Sequence, residues 1–240
     1  MIICVCKYLR TLPLLLPYDV MQYLISDCGL TIEERLVEKY WSHLDSIGDP
    51  WAASSKEWRT AVGSRNVWPL ALYGDEANIN LVTDPYNKIF GLVMSVVLFR
   101  PTATRLSRFV LFSLDSSCIR SVIDTWYPVL ERIVESFNKL TEQGIQGRYF
   151  VVSEIRGDQA FFRYLFKHAS WWTRCNMCFR CAATTRPTNL NYAIYEAPDG
   201  WNANCRTTQE FIHEELDHAN LCHLAAWFLN HLPAALLGKT

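Results

Sequence analysis

Two aspartates carry the first hint of chemistry in this chain. Asp75 follows Gly74 in WPLALYGDEANIN (residues 68–80), and Asp158 follows Gly157 in YFVVSEIRGDQAFF (residues 149–162). Each Gly-Asp stands where an apolar run ends. Two carboxylates a few ångström apart repel each other and are costly to bury. A hard divalent cation such as Mg²⁺ removes that penalty and keeps water positions for substrate phosphate. Two such ions about 4 Å apart activate a water and stabilise the leaving oxygen in phosphodiester cleavage. Asp75 and Asp158, if brought together, make a metal-binding site of the nuclease type, with Glu76 as a candidate helper. The plainer reading is that Gly-Asp is good turn chemistry after a strand, with Glu76 a solvent-facing neighbour.

A second cluster is Cys175, Cys178 and Cys181 in CNMCFRC, two overlapping C-x₂-C steps. Thiolates at that spacing form half of a tetrahedral zinc site. Candidates for the other half are Cys205, Cys222, His213, His218 and His223. The three histidines recur every five residues, so on a helix successive ones lie about 140° apart and cannot all face one ion. Free thiols are the alternative, and Cys4, Cys6 and Cys28 read as packing residues. Nine cysteines, an odd number in a chain of 240 residues, do not make a secreted disulfide framework and point to a reducing compartment.

The formal net charge of −1 gives no global attraction to nucleic acid. Locally the balance shifts. Between Gln146 and Leu190 seven cations, among them Arg156, Arg163 and Lys167, face only Glu154 and Asp158. Such a segment either contacts phosphates or is a solvated basic face. Trp171, Trp172, Phe179 and Trp201 either stack bases or close a small core. The first twenty residues are apolar but interrupted by Lys7 and Arg10, and no run approaches the ~18 apolar residues of a membrane span. No Walker loop, Rossmann glycine fingerprint or nucleophile elbow is present.

Hydrophobic periodicity predicts the scaffold on which these groups sit. Residues 1–60 read as a helical N-terminal segment, with a helical pattern over 18–46, a capping box at Thr31 and Glu34, and a turn-rich linker at 48–58. Apolar runs at 68–74, 88–100 and 105–115 predict strands. Residues 124–140 have helical period and start near Thr125, because Pro128 fits only in a first turn. A fourth strand covers 149–155 and a helix 159–169. These make a core over 67–169. Residues 170–240 form a cysteine-rich loop and a C-terminal helix, opened by a second capping box at Thr207 and Glu210. Three strands, a helix and a fourth strand are the element order of an α/β, RNase H-like mixed sheet. There the fourth strand lies parallel beside the first, and both carboxyl ends share the edge where sites form.

The segments PLALYGDEANI, GLVMSVVLFRP, VLERIVESFNKL, VSEIRGDQAFFRYLF and CNMCFRCAA together resemble a repetitive family of transposase-like proteins in the genomes of unicellular algae. Their order is similar to that of cut-and-paste transposases of the CACTA class, and the similarity spans roughly residues 14–215. The resemblance implies a retroviral-integrase-like fold, Mg²⁺-dependent DNA strand cleavage and transfer, DNA as partner and a nuclear location. Asp75 matches the first acid, Asp158 the second, and Cys178 and Cys181 the family's C-x₂-C, with Cys175 an addition. The third acid is expected on a helix beyond the cysteines, where Glu214, Glu215 and Asp217 are available and Glu214 is taken as the candidate. A non-catalytic, zinc-stabilised binding module for nucleic acid or protein is the alternative.

Overall fold

A computed structural model describes residues 2–4, 11–80, 84–115 and 125–157. It is a mixed α/β structure built on a four-stranded sheet. In chain order the elements are β1 (Ile2–Cys4), β2 (Thr11–Pro13), α1 (Pro17–Ser26), α2 (Glu34–Ser46), α3 (Pro50–Val62), β3 (Val67–Asn80), β4 (Asp84–Val96), β5 (Arg108–Asp115), α4 (Tyr127–Glu142) and β6 (Tyr149–Gly157). The sheet order is β5-β4-β3-β6. β3, β4 and β5 form an antiparallel meander, and β6 pairs with β3 in parallel. The parallel pairing of the first and last sheet strands is the one expected from the element order.

Two helical layers hold the sheet. The apolar stripe of α4, including Val129, Ile133, Phe137 and Leu140, is buried. Trp126, at its start, sits edge-on to Phe90 of β4 with centroids 6.0 Å apart and leans on Phe112 of β5 at 5.8 Å. Phe90 and Phe112 therefore mark the side of the sheet that α4 covers. On the other side, α2 and α3 cover only the first half of β3. Trp58 of α3 meets the Tyr149 ring at 6.2 Å. Trp41 of α2 donates its indole N–H to the Val67 carbonyl at 2.8 Å. Behind Trp41, the buried Arg59 lies over its ring at 4.4 Å and pairs with Asp45 at 2.8 Å. The cation is paired and hydrogen-bonded, which is the condition for burying one.

The N-terminal segment is not wholly helical. β1 and β2 form a two-stranded ribbon, and the helical pattern of 18–46 divides where Gly29 takes a φ of +68° between α1 and α2. The Thr31–Glu34 capping box does not form; the N-cap of α2 is Glu33, without a side-chain cap. The linker expected at 48–58 is instead α3. Asp49 caps it by accepting from the Ala52 N–H at 2.9 Å, and Pro50 opens the first turn. Cys28 is exposed and is not a packing residue. No helix among the described residues is long and apolar enough to cross a membrane.

Candidate functional site

The first strand does not end at Gly74. β3 runs on to Asn80, and Asp75 pairs with Gly91 in the middle of the β3–β4 ladder. Asp75 is thus neither a turn residue nor a strand terminus. The polar residues that end the apolar run remain in strand because β4 still supplies their backbone partners.

Alternation along the strand sets what Asp75 meets. Leu70 and Leu72 point toward the α4 side, so Tyr73 and Asp75 point the other way, past the reach of α2 and α3. The Asp75 carboxylate is exposed and held at both oxygens. Oδ2 accepts from the Tyr73 hydroxyl at 2.8 Å, and Oδ1 accepts from the Glu76 N–H at 2.8 Å. Each oxygen keeps acceptor capacity for a cation. The cross-strand neighbour on the same side is Gly91, which brings no side chain against the carboxylate. Glu76 points to the opposite side and is ion-paired with Lys88, so it is not a helper for Asp75.

The second half of the expected site depends on β6. Val152 pairs with Leu70 and Glu154 with Ala71, leaving Ser153 as an extra residue. This bulge is tied down from two sides. The Ser153 hydroxyl donates to the Leu70 carbonyl at 3.2 Å, and it shares a hydrogen bond with Tyr40 of α2, whose phenol burial pushes above its ordinary pKa. The bulge sets the register of the last residues of β6: Arg156 lies beside Tyr73, and Gly157 beside Gly74. Were Ser153 paired with Ala71 instead of bulged, Gly157 would fall beside Asp75. The two Gly-Asp glycines are therefore register partners on parallel strands.

Arg156 is 58% exposed on the same side as Asp75 and is ion-paired with Glu154. Arg148, the other described cation of the basic segment, is not part of that surface, since its guanidinium lies over the Trp68 ring at 5.1 Å. Asp158, Arg163, Lys167, Cys175, Cys178, Cys181 and Glu214 lie outside the described residues, as do the helices expected at 159–169 and 207–231. Among the described residues no group of three or more His, Cys, Asp or Glu is gathered for a metal ion.

Sequence reading missed Arg108. It opens β5, and its guanidinium reaches within 5.9 Å of the Tyr73 ring centroid. The only available signal was its type, a cation at the start of an apolar run. Its placement needs the register of three strands. No family model, curated protein or solved structure matches the chain.

Proposed function

We propose that this protein is a transposase-like phosphoryl-transfer protein with an RNase H-like core, acting on DNA. The observation that supports the reading best is the register of Gly74 with Gly157 on parallel strands, with the Asp75 carboxylate exposed on the open side of the sheet. Asp75 and Asp158 follow these glycines in the sequence. In this reading their carboxylates hold Mg²⁺, and Glu214 supplies the third acid. The donor set fits, being hard oxygen with free acceptor capacity on Asp75 and a glycine, Gly91, beside it. Bound there, Mg²⁺ supplies charge stabilisation at a phosphodiester and lowers the pKa of a water nucleophile. The chain's own part is to hold the acid still, which Tyr73 and the Glu76 N–H do, and to draw phosphates toward it through Arg156, Arg163 and Lys167. Cys175, Cys178 and Cys181 are assigned to a structural zinc in the segment after the core.

The test is cleavage. Purified protein is incubated with supercoiled plasmid and Mg²⁺ or Mn²⁺, and nicked and linear products are resolved on a gel. Nicking that disappears in both Asp75→Asn and Asp158→Asn, with unchanged circular dichroism, supports the reading. Absence of nicking, with DNA binding that is lost on zinc chelation, replaces it with a non-catalytic zinc-stabilised binding module.

A further inference from the structure

On the open side of the sheet one row crosses three strands. Asp75 of β3 pairs with Gly91 of β4, and Gly91 with Ser113 of β5. Residues paired this way project to the same side. Asp75 and Ser113 are exposed, and two strand spacings, roughly 10 Å, separate their backbones. Along β4 the same side carries Ile89 and Val93, two residues before and two after Gly91. Both are β-branched, the type a pleated surface favours, so Gly91 leaves a gap between them. Neither the backbone nor the packing requires that gap. Gly91 is not among the glycines with positive φ. A Cβ built at 91 meets the Phe112 carbonyl oxygen at 3.9 Å, an ordinary contact, and is otherwise uncrowded among the described residues. The neighbouring bulge takes its extra residue, Leu111, from β5. A glycine inside a strand weakens it; where no bulge or bend calls for one, it marks a close approach by a ligand or another backbone.

We infer that Gly91 and Ser113 are positioning residues of the Asp75 site: Gly91 is the slot in which a phosphate group lies against the sheet, and Ser113 donates a hydrogen bond to its far oxygen. The inference rests on the phosphoryl-transfer reading above and adds two residues that no acid pattern contains. The ends of the slot set the chemistry. The carboxylate of Asp75 reaches a phosphate oxygen only through a cation, which takes about 2 Å on each side. The Ser113 hydroxyl reaches another directly, at about 2.7 Å. Those lengths and the width of a phosphate group together fill the space between the two side chains. A side chain at 91 would stand about 5 Å from the Asp75 Cβ and occupy that space.

The experiment uses the full-length protein and three readouts: plasmid nicking at saturating Mn²⁺, Mn²⁺ affinity by electron paramagnetic resonance, and the urea midpoint. Gly91→Val should slow nicking by roughly a hundredfold, the scale of a misplaced reacting group. Its urea midpoint should not fall, because valine suits a strand better than glycine does. Gly91→Ala, for which the fold has room, should show a smaller loss of the same kind and stands in if the valine variant does not fold. Ser113→Ala should slow nicking by about tenfold, the loss of one hydrogen bond to a charged group, and leave Mn²⁺ affinity unchanged. Ser113→Thr, which keeps the hydroxyl, should restore the rate. Wild-type nicking in a folded Gly91→Val, with Asp75→Asn inactive, overturns the slot and spares the assignment of Asp75. Wild-type nicking in Ser113→Ala, or a slow rate that Ser113→Thr does not restore, overturns the role of the hydroxyl. A wild-type protein that neither binds Mn²⁺ nor nicks DNA overturns this inference and the phosphoryl-transfer reading together.

Discussion

The two halves of β3 share a backbone and little else. From Val67 to Leu72 the residues are buried on both sides, under α4 on one and under α2 and α3 on the other. From Tyr73 onward the α2–α3 layer has ended, and alternate residues face solvent. The first half reads VWPLAL, apolar throughout, as a strand covered on both sides must. The second half reads YGDEA, and no continuous core could hold it. One strand thus builds the core and then carries a carboxylate out of it on a rigid ladder. A site placed this way inherits the stability of the sheet, whereas a site on a loop does not.

The buried half is where a substitution should do most damage. Phe150 is fully buried, edge-on to Trp68 with centroids 5.6 Å apart. Phe150→Ala should cost about 3–5 kcal/mol, read from urea denaturation. A loss below about 1 kcal/mol would mean that the first half of the sheet is not the core.

Deleting Ser153 probes the link between the halves. It removes the extra residue, joins Val152 to Glu154 and keeps Gly157 beside Gly74, while the Ser153 hydrogen bonds to Leu70 and Tyr40 are lost. The expected result is a protein that unfolds cooperatively at a lower urea midpoint and keeps metal-dependent nicking. Nicking lost in a cooperatively folded deletion variant would show that the bulge itself, and not the register of the two glycines, sets the site.

Tyr73→Phe acts only in the exposed half. It removes the hydroxyl that donates to Asp75 and leaves the ring in place. Affinity for Mn²⁺, titrated by electron paramagnetic resonance, should fall by roughly tenfold, the usual effect of losing a group that orients a metal ligand. The urea midpoint should move little, because the lost hydrogen bond is solvent-accessible.

Legibility in the sequence tracks what each feature depends on. The apolar half of β3, the β-rich runs and α4 can be read because local period and burial coincide there. The extent of β3 past Asp75 cannot, since a polar stretch stays in strand only through its pairing with β4. α3 is hidden because Gly48, Asp49 and Pro50 look like a turn, while in the fold Asp49 and Pro50 are its cap and first residue. The Ser153 bulge and the reach of Arg108 are properties of register between strands distant in sequence, and no local pattern encodes them. Asp75 is marked by its type and neighbours, but the reason its carboxylate is accessible, the early end of the α2–α3 layer, is tertiary.

A subtler change is expected within that layer. Tyr40 has its phenol pKa raised from the ordinary 10.0, chiefly by burial, with the hydrogen bond to Ser153 opposing the shift. The fold therefore favours the protonated phenol. That contribution is complete below pH 10.0 and is lost as pH climbs through the raised value. Tyr40→Phe should flatten the alkaline arm of stability against pH in urea titrations and leave the neutral range almost unchanged. An alkaline arm identical to that of the wild type would contradict the burial of the Tyr40 phenol in this layer.

Asp75 and Asp158, one residue beyond paired glycines, are proposed to act as one metal site. Mn²⁺ titration of the wild type, Asp75→Asn, Asp158→Asn and the double variant decides whether they do. Either single substitution should remove most of the binding, and the double should lose little more, because each acid has already lost its partner. Wild-type Mn²⁺ affinity in Asp75→Asn, or independent losses that simply add in the double variant, would contradict it.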